Sequence, residues 1–208
     1  MITIIAATEF EIKALMEHYN TSNEIDFIIT GYGIVNTIFH TQKYLYENKN
    51  RIKENIFINT GIAGGFTGTK LSDLCLCNVE VLADFGKCFS KKIEYFSNMK
   101  PIIIKNKFND FLKKRFQFDQ AGTFLTVNCV TVEKPREIFF MKKFSPIVEN
   151  MEGYATAFLA EKFQLNYSEI RVISNYIGDR QNWQTEVAVK KLNNFLITVI
   201  EGLKREWF

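Results

Sequence analysis

Short apolar runs rich in β-branched residues recur along this chain, and most are followed by a segment with helical spacing. Ile2–Ala7, Ile25–Thr30, Asn55–Asn59, Leu74–Ala83, Ala121–Val132, Pro146–Asn150 and Ser168–Asn175 read as strands. Helical spacing runs from Ile12 onward, from a glycine turn at Gly31–Asn36 to Tyr46, and over Asn109–Phe116, Arg136–Phe144, Met151–Phe163 and Thr185–Glu206. A strand followed by a helix and another strand returns the chain to a parallel neighbour, so the alternation predicts an α/β fold. The expected architecture is three-layer α/β/α, with a central twisted, largely parallel but mixed sheet. With 208 residues and no linker-like stretch, a single domain over residues 1–208 is expected.

Bulk chemistry narrows the function classes. The net charge is only +3, and basic residues occur as scattered pairs such as Lys91-Lys92 and Lys142-Lys143, which make no nucleic-acid stripe. No apolar run approaches membrane-spanning length, and the first residues, M-I-T-I-I-A-A-T-E-F-E, lack the basic start of a signal peptide. A cytoplasmic protein with neither nucleic-acid nor membrane partner is expected. The four cysteines (Cys75, Cys77, Cys88, Cys129) lack C-x-x-C spacing, and the histidines are His18 and His40, so no metal and no cofactor are expected. Twenty phenylalanines point to an aromatic core and to a buried subunit interface.

The polar residues that matter stand at element ends, where α/β proteins place chemistry. Glu11 follows the first strand; with Thr8 it forms T-x-x-E, so it reads either as half of a capping box or as a general base facing a pocket. The stretch N-T-G-I-A-G-G-F (Asn59–Phe66) reads as a break from strand into a glycine loop, whose backbone can approach a ligand and offer N–H groups. Ile62 inside that loop argues against a phosphate there. Glu152 reads as a helix-start acid or a sugar ligand, Arg171 as an ion-pair residue or part of a site, and Asn175 as a strand-ending turn residue or a base ligand.

Five motifs in order, A-T-E-F-E, G-Y-G-I-V-N, N-T-G-I-A-G-G-F, N-M-E-G-Y-A and R-V-I-S-N, resemble the purine nucleoside phosphorylase and nucleosidase superfamily from residue 1 to about 180. Within it the chain is similar to the methylthioadenosine/S-adenosylhomocysteine nucleosidases, and I-S-N-Y-I-G-D-R-Q-N-W looks most like the futalosine hydrolases of menaquinone biosynthesis. The resemblance implies that Glu11 deprotonates an attacking water, that Arg171 helps hold that water, and that Met151 and Glu152 lie under the ribose. It implies further that Ile62, Ala63 and Gly64 line the substrate site, that Val130 and Thr131 meet the base edge, and that Asn175 stands where adenosine-type enzymes carry an acidic aspartate. It also implies a homodimer or higher homo-oligomer acting on a small-molecule nucleoside.

An asparagine amide cannot act as an acid. Its NH₂ can donate to N7 and to a 6-oxo group, whereas a 6-amino group would set donor against donor. Asn175 therefore predicts hypoxanthine as the base. Asp179 reads as a turn residue or as an alternative proton source, and Lys134, Arg136 and Arg180 are candidate partners for a carboxylate beyond the 5′ carbon. Phosphorolysis needs cations around phosphate, and the first arginine is Arg51, so water is the expected nucleophile. Three readings stand: a futalosine-type hydrolase, a methylthioadenosine/S-adenosylhomocysteine-type nucleosidase or phosphorylase, and a catalytically silent nucleoside-binding protein.

Overall fold

The computed structural model describes residues 1–89, 91–96, 100–179 and 182–207. In chain order the elements are β1 (Ile2–Ala6), α1 (Glu9–His18), β2 (Ile25–Ile29), α2 (Gly33–Glu47), β3 (Ile56–Gly65), β4 (Leu74–Leu82), β5 (Gly86–Phe89), β6 (Lys92–Tyr95), β7 (Ile102–Ile103), α3 (Lys107–Arg115), β8 (Gln120–Thr126), α4 (Lys134–Phe144), β9 (Val148–Asn150), α5 (Gly153–Phe163), β10 (Asn166–Tyr176) and α6 (Thr185–Glu206).

Eight strands form one mixed sheet. The β1–β2, β1–β3, β3–β10, β4–β8 and β8–β9 pairs are parallel; β4–β10, β3–β9 and β4–β7 are antiparallel. The pairings run in a circuit, β3–β10–β4–β8–β9 and back to β3, with β1 and β2 extending it beyond β3. β3 is thus bonded to three strands and lies at the centre of the fold. β5 and β6 form a separate two-stranded hairpin between β4 and β7.

Apolar side chains fill both faces. One cluster packs α1, α3 and α6 through Ile12, Leu15, Phe108, Leu192, Leu196 and Val199 against Ile4, Ile58 and Ile170. Another packs α2 and α5 through Leu45, Ala157 and Leu159 against Ile5, Phe57 and Ile173. Cys75 and Cys77, two apart on β4, are both buried in this second cluster, as their spacing implies. Among the described residues, no helix is long and apolar enough to cross a membrane.

Two expected element boundaries are corrected. The segment Asn59–Gly65 is not a loop but the second half of β3, pairing Gly61 to Gly65 with β10. Conversely, the expected strand over residues 121–132 stops at Thr126. Beyond it the Asp84 carboxylate takes the backbone N–H groups of Asn128 (2.7 Å) and Cys129 (3.1 Å), turning the chain out of the ladder.

Candidate active site

The carboxyl ends of β1, β3, β8 and β10 converge with β9 on a cavity of about 600 Å³. This is where open parallel sheets place ligands. Glu11, Ile62, Ala63, Gly64, Val130, Thr131, Met151, Glu152 and Asn175 all line it, so nine of the residues singled out from sequence come together. Arg171 does not line it. It lies 1% exposed, behind the carboxylates that line the cavity.

Glu11 is held in the first turn of α1. Its Oε2 accepts the Thr8 N–H at 3.0 Å and the Thr8 hydroxyl at 3.1 Å, and its Oε1 accepts the Ile62 N–H at 3.0 Å. The local capping reading is therefore correct, but the same carboxylate reaches across to β3 and faces the cavity. The Ile62 N–H, expected to be offered to a ligand, is spent on Glu11.

Gly61 has a reason other than ligand approach. A Cβ there would stand 2.5 Å from both Arg171 Nη1 and Glu11 Oε1, and its φ is +154°. Glycine is needed because two charged side chains cross over this backbone.

Glu152 is the N-cap of α5, yet its side chain does not cap. Asn150 does that work, its Oδ1 accepting the N–H groups of Glu152 (2.9 Å) and Gly153 (2.7 Å). The Glu152 carboxylate is thereby free to turn into the cavity, where Oε1 accepts the Gly33 N–H at 3.0 Å and Oε2 lies 3.8 Å from Arg171 Nη2. Gly31 and Gly33, at φ +77° and +82°, present that N–H, which explains the G-Y-G turn. Burial raises the Glu152 carboxyl above its usual range; Arg171 and the Gly33 N–H partly offset this.

Arg171 is the cation of a buried network. Nε donates to Glu169 Oε1 at 3.0 Å and Nη1 to the Thr60 carbonyl at 3.3 Å. Burial disfavours its charge, but Glu169, Glu152 and Glu11 outweigh burial and raise its pKa above the usual range. Behind it lie Glu80 and Cys77, whose ligand atoms and those of Glu169 fall within 4.8 Å of one another. These atoms are already engaged: Thr126 and Asn150 donate to Glu80, Cys77 donates to Glu80, and Tyr167 donates to Glu169. Burial, and then Glu169, push the Glu80 carboxyl well above its usual range. The set is an arginine-anchored hydrogen-bond network. A Cβ on Gly153 would come 2.7 Å from both Glu169 oxygens, so a glycine must follow Glu152.

Two lining residues escape a reading of the sequence. Ser174 donates its hydroxyl to Asn175 Oδ1 at 2.9 Å, while Asn175 Nδ2 donates to the Tyr176 carbonyl at 3.2 Å. This fixes the amide's orientation and leaves its second N–H as a donor. Glu149, buried on β9, accepts the Thr131 N–H at 2.8 Å through Oε1; its Oε2 has no hydrogen-bond partner among the described residues. Gly64 pairs with Asn175 on one side and with Glu149 on the other, so donor and acceptor flank one glycine. Only alternation about β9 could have signalled Glu149.

The remaining candidates divide. Lys134 pairs with Glu137 and Arg136 with Asp84, and neither lines the cavity. Asp179 lines it and takes the turn role, accepting from the backbone and side-chain amides of Asn182. Arg180 lies outside the described residues.

A futalosine hydrolase of Acidothermus cellulolyticus is 27% identical over 154 residues, a match spanning 67% of this chain and 62% of that protein's length. The native structure of a futalosine hydrolase of Helicobacter pylori superposes with a TM-score of 0.82 at 19% identity, covering 97% of each chain. A 5′-methylthioadenosine/S-adenosylhomocysteine nucleosidase of the same organism gives 0.80 at 19% identity, covering 97% of this chain and 98% of that one. The family description "Phosphorylase superfamily" matches residues 30–201, which take in β3, β9, α5 and β10 and most of the cavity wall. With its fold shared by solved members and its residues matched from α2 into α6, the chain belongs to the phosphorylase superfamily.

Proposed function

We propose that this protein hydrolyses the N-glycosidic bond of futalosine, releasing hypoxanthine, in menaquinone biosynthesis in the cytoplasm. The observation that carries the reading is the pair across Gly64: an amide donor on Asn175 and an unsatisfied carboxylate oxygen on Glu149. A 6-oxopurine offers acceptors at O6 and N7 and a donor at N1, and so matches both. A 6-amino purine keeps the acceptor at N7 but turns C6 into a donor and N1 into an acceptor, setting donor against the Asn175 amide at C6 and acceptor against the Glu149 oxygen at N1.

In this reading Glu152 accepts from the ribose hydroxyls, Met151 packs below the sugar, and Glu11 holds the water. Cleavage develops positive charge on the ribose, which the carboxylates of Glu11 and Glu152 favour. The described lining carries Glu11, Glu149, Glu152 and Asp179 with no Lys, Arg or His. A phosphate nucleophile would meet like charge there, which supports water. Phe10, Tyr32 and Trp183 supply an apolar wall for the aromatic part of futalosine. The cation for its carboxylate comes from outside the described lining.

Tyr32, Val35, Phe39 and Tyr46 are exposed along α2 beside this wall, a face suited to a second copy of the chain. We assign a homodimer or higher oligomer to it.

A panel of futalosine, aminofutalosine, inosine and methylthioadenosine, with and without phosphate, tests the whole. Hypoxanthine from futalosine, at a rate independent of phosphate, is expected. Faster release of adenine from methylthioadenosine, for which the methylthioadenosine-type relatives provide precedent, would overturn it. Asn175→Asp sharpens the test, because a carboxylate repels O6. The ratio of kcat/KM for 6-oxo over 6-amino substrates is expected to fall by on the order of 10²-fold. An unchanged ratio removes Asn175 from base selection.

A further inference from the structure

α1 is bent one residue after Glu11. Ile12 has φ −128° and ψ 15°, outside helical values, although the helix continues to His18. The cause is a side chain from α6. Leu15 N–H donates to Asn193 Oδ1 at 2.8 Å, and Asn193 Nδ2 donates to the Glu11 carbonyl at 2.8 Å. Leu15 N–H and Glu11 C=O are each other's regular partners in an α-helix, so Asn193 has inserted itself into that rung. Its second amide proton goes to the Val189 carbonyl at 2.7 Å, it is buried with 2% exposure, and the Tyr19 hydroxyl ties the same two helices together through Glu201 at 2.8 Å.

We propose that Asn193 is a positioning residue for Glu11, holding α1 bent so that the Glu11 carboxylate reaches Ile62 and the cavity. The proposal rests on the reading of Glu11 as the carboxylate that orients water. An apolar residue at position 193 would orphan neither group, because α1 could close the rung by itself, and burying an amide between helices costs more than burying a hydrocarbon. What a hydrocarbon cannot do is keep the first turn of α1 angled away from the rest.

Asn193→Leu is the test, since leucine has the same branching and number of side-chain atoms. The variant is expected to fold, with a melting temperature at or above wild type. Its crystal structure is expected to show Leu15 N–H on the Glu11 carbonyl and Glu11 withdrawn from Ile62. Its kcat on the best nucleoside of the panel is expected to fall by on the order of 10²-fold, the scale of a misplaced catalytic group, with KM within about threefold. A variant structure that keeps the Glu11–Ile62 bond, or an unchanged kcat, overturns the proposal. If wild type cleaves none of the nucleosides, the nucleosidase reading fails and the structural arm alone decides on Asn193.

Should Asn193→Leu not fold, Asn193→Asp replaces it. The carboxylate still accepts from Leu15 but cannot donate to the Glu11 carbonyl, so kcat falls. Acidification that protonates the introduced carboxyl restores the donor, and kcat relative to wild type at the same pH recovers. Absence of that recovery counts against Asn193 acting through Glu11.

Discussion

Glu11→Gln is expected to remove turnover while leaving the nucleoside bound. An ionised carboxylate has about four lone-pair sites, and three are taken by the Ile62 N–H, the Thr8 N–H and the Thr8 hydroxyl. The fourth is left for water at the cavity wall. Glutamine replaces one oxygen by an NH₂ group, so either Ile62 or Thr8 then faces donor against donor, and no anion remains to take the proton. The loss in kcat should be on the order of 10²–10⁴-fold, the usual contribution of one general base. Glu152 and Asn175 keep their geometry, so the dissociation constant of a non-hydrolysable nucleoside is expected to change by less than about threefold. Single-turnover kinetics and calorimetry on the same variant separate the two quantities. A kcat within tenfold of wild type would show that Glu11 is only a helix cap.

The legible part of this molecule is the part encoded locally. β-branched runs and amphipathic spacing place the strands and helices, because each signal lies inside its own element. Glu11, Glu152 and Asn175 could be singled out since each stands at an element end, and parallel sheets gather such ends at one edge. The cavity lined by all three follows from topology more than from pairwise detail.

What stayed hidden depends on partners distant in sequence. The glycines of Asn59–Phe66 look like a turn, but Gly61 is a passage for Arg171 and Glu11, from two other elements. Glu80, Thr126, Asn150 and Glu169 meet only after β4, β8, β9 and β10 have paired, and each alone reads as an ordinary polar residue in or beside a strand. Asn193 occupies an amphipathic helix whose apolar spacing is clear, and nothing in that spacing says that one buried position serves a different helix. Local position can name Glu11 and Glu152, but it cannot show what holds them.

Arg171 is where holding them is most costly to disturb. Its guanidinium meets Glu169, lies 3.8 Å from Glu152 and is enclosed at 1% exposure, so Arg171→Met strands two buried carboxylates without a cation. Breaking one side of such a pair costs about 3–5 kcal/mol, a large share of the stability of a typical domain. Lysine is no remedy, since a single ammonium cannot span Glu169, the Thr60 carbonyl and Glu152 as the planar fork does. The sign of the pH dependence follows from the same argument. Burial already raises the Glu152 carboxyl in the native protein, and removing Arg171 raises it further. A carboxyl with a raised folded-state pKa destabilises above that pKa and is relieved as pH falls through it. Urea unfolding should therefore show a deficit at pH 7 of about 3–5 kcal/mol that shrinks toward pH 5. The double variant Arg171→Met with Glu169→Gln should recover part of it at pH 7, because one stranded charge is gone. A deficit below about 1 kcal/mol, or one that does not change with pH, would mean that the network is not held by its arginine.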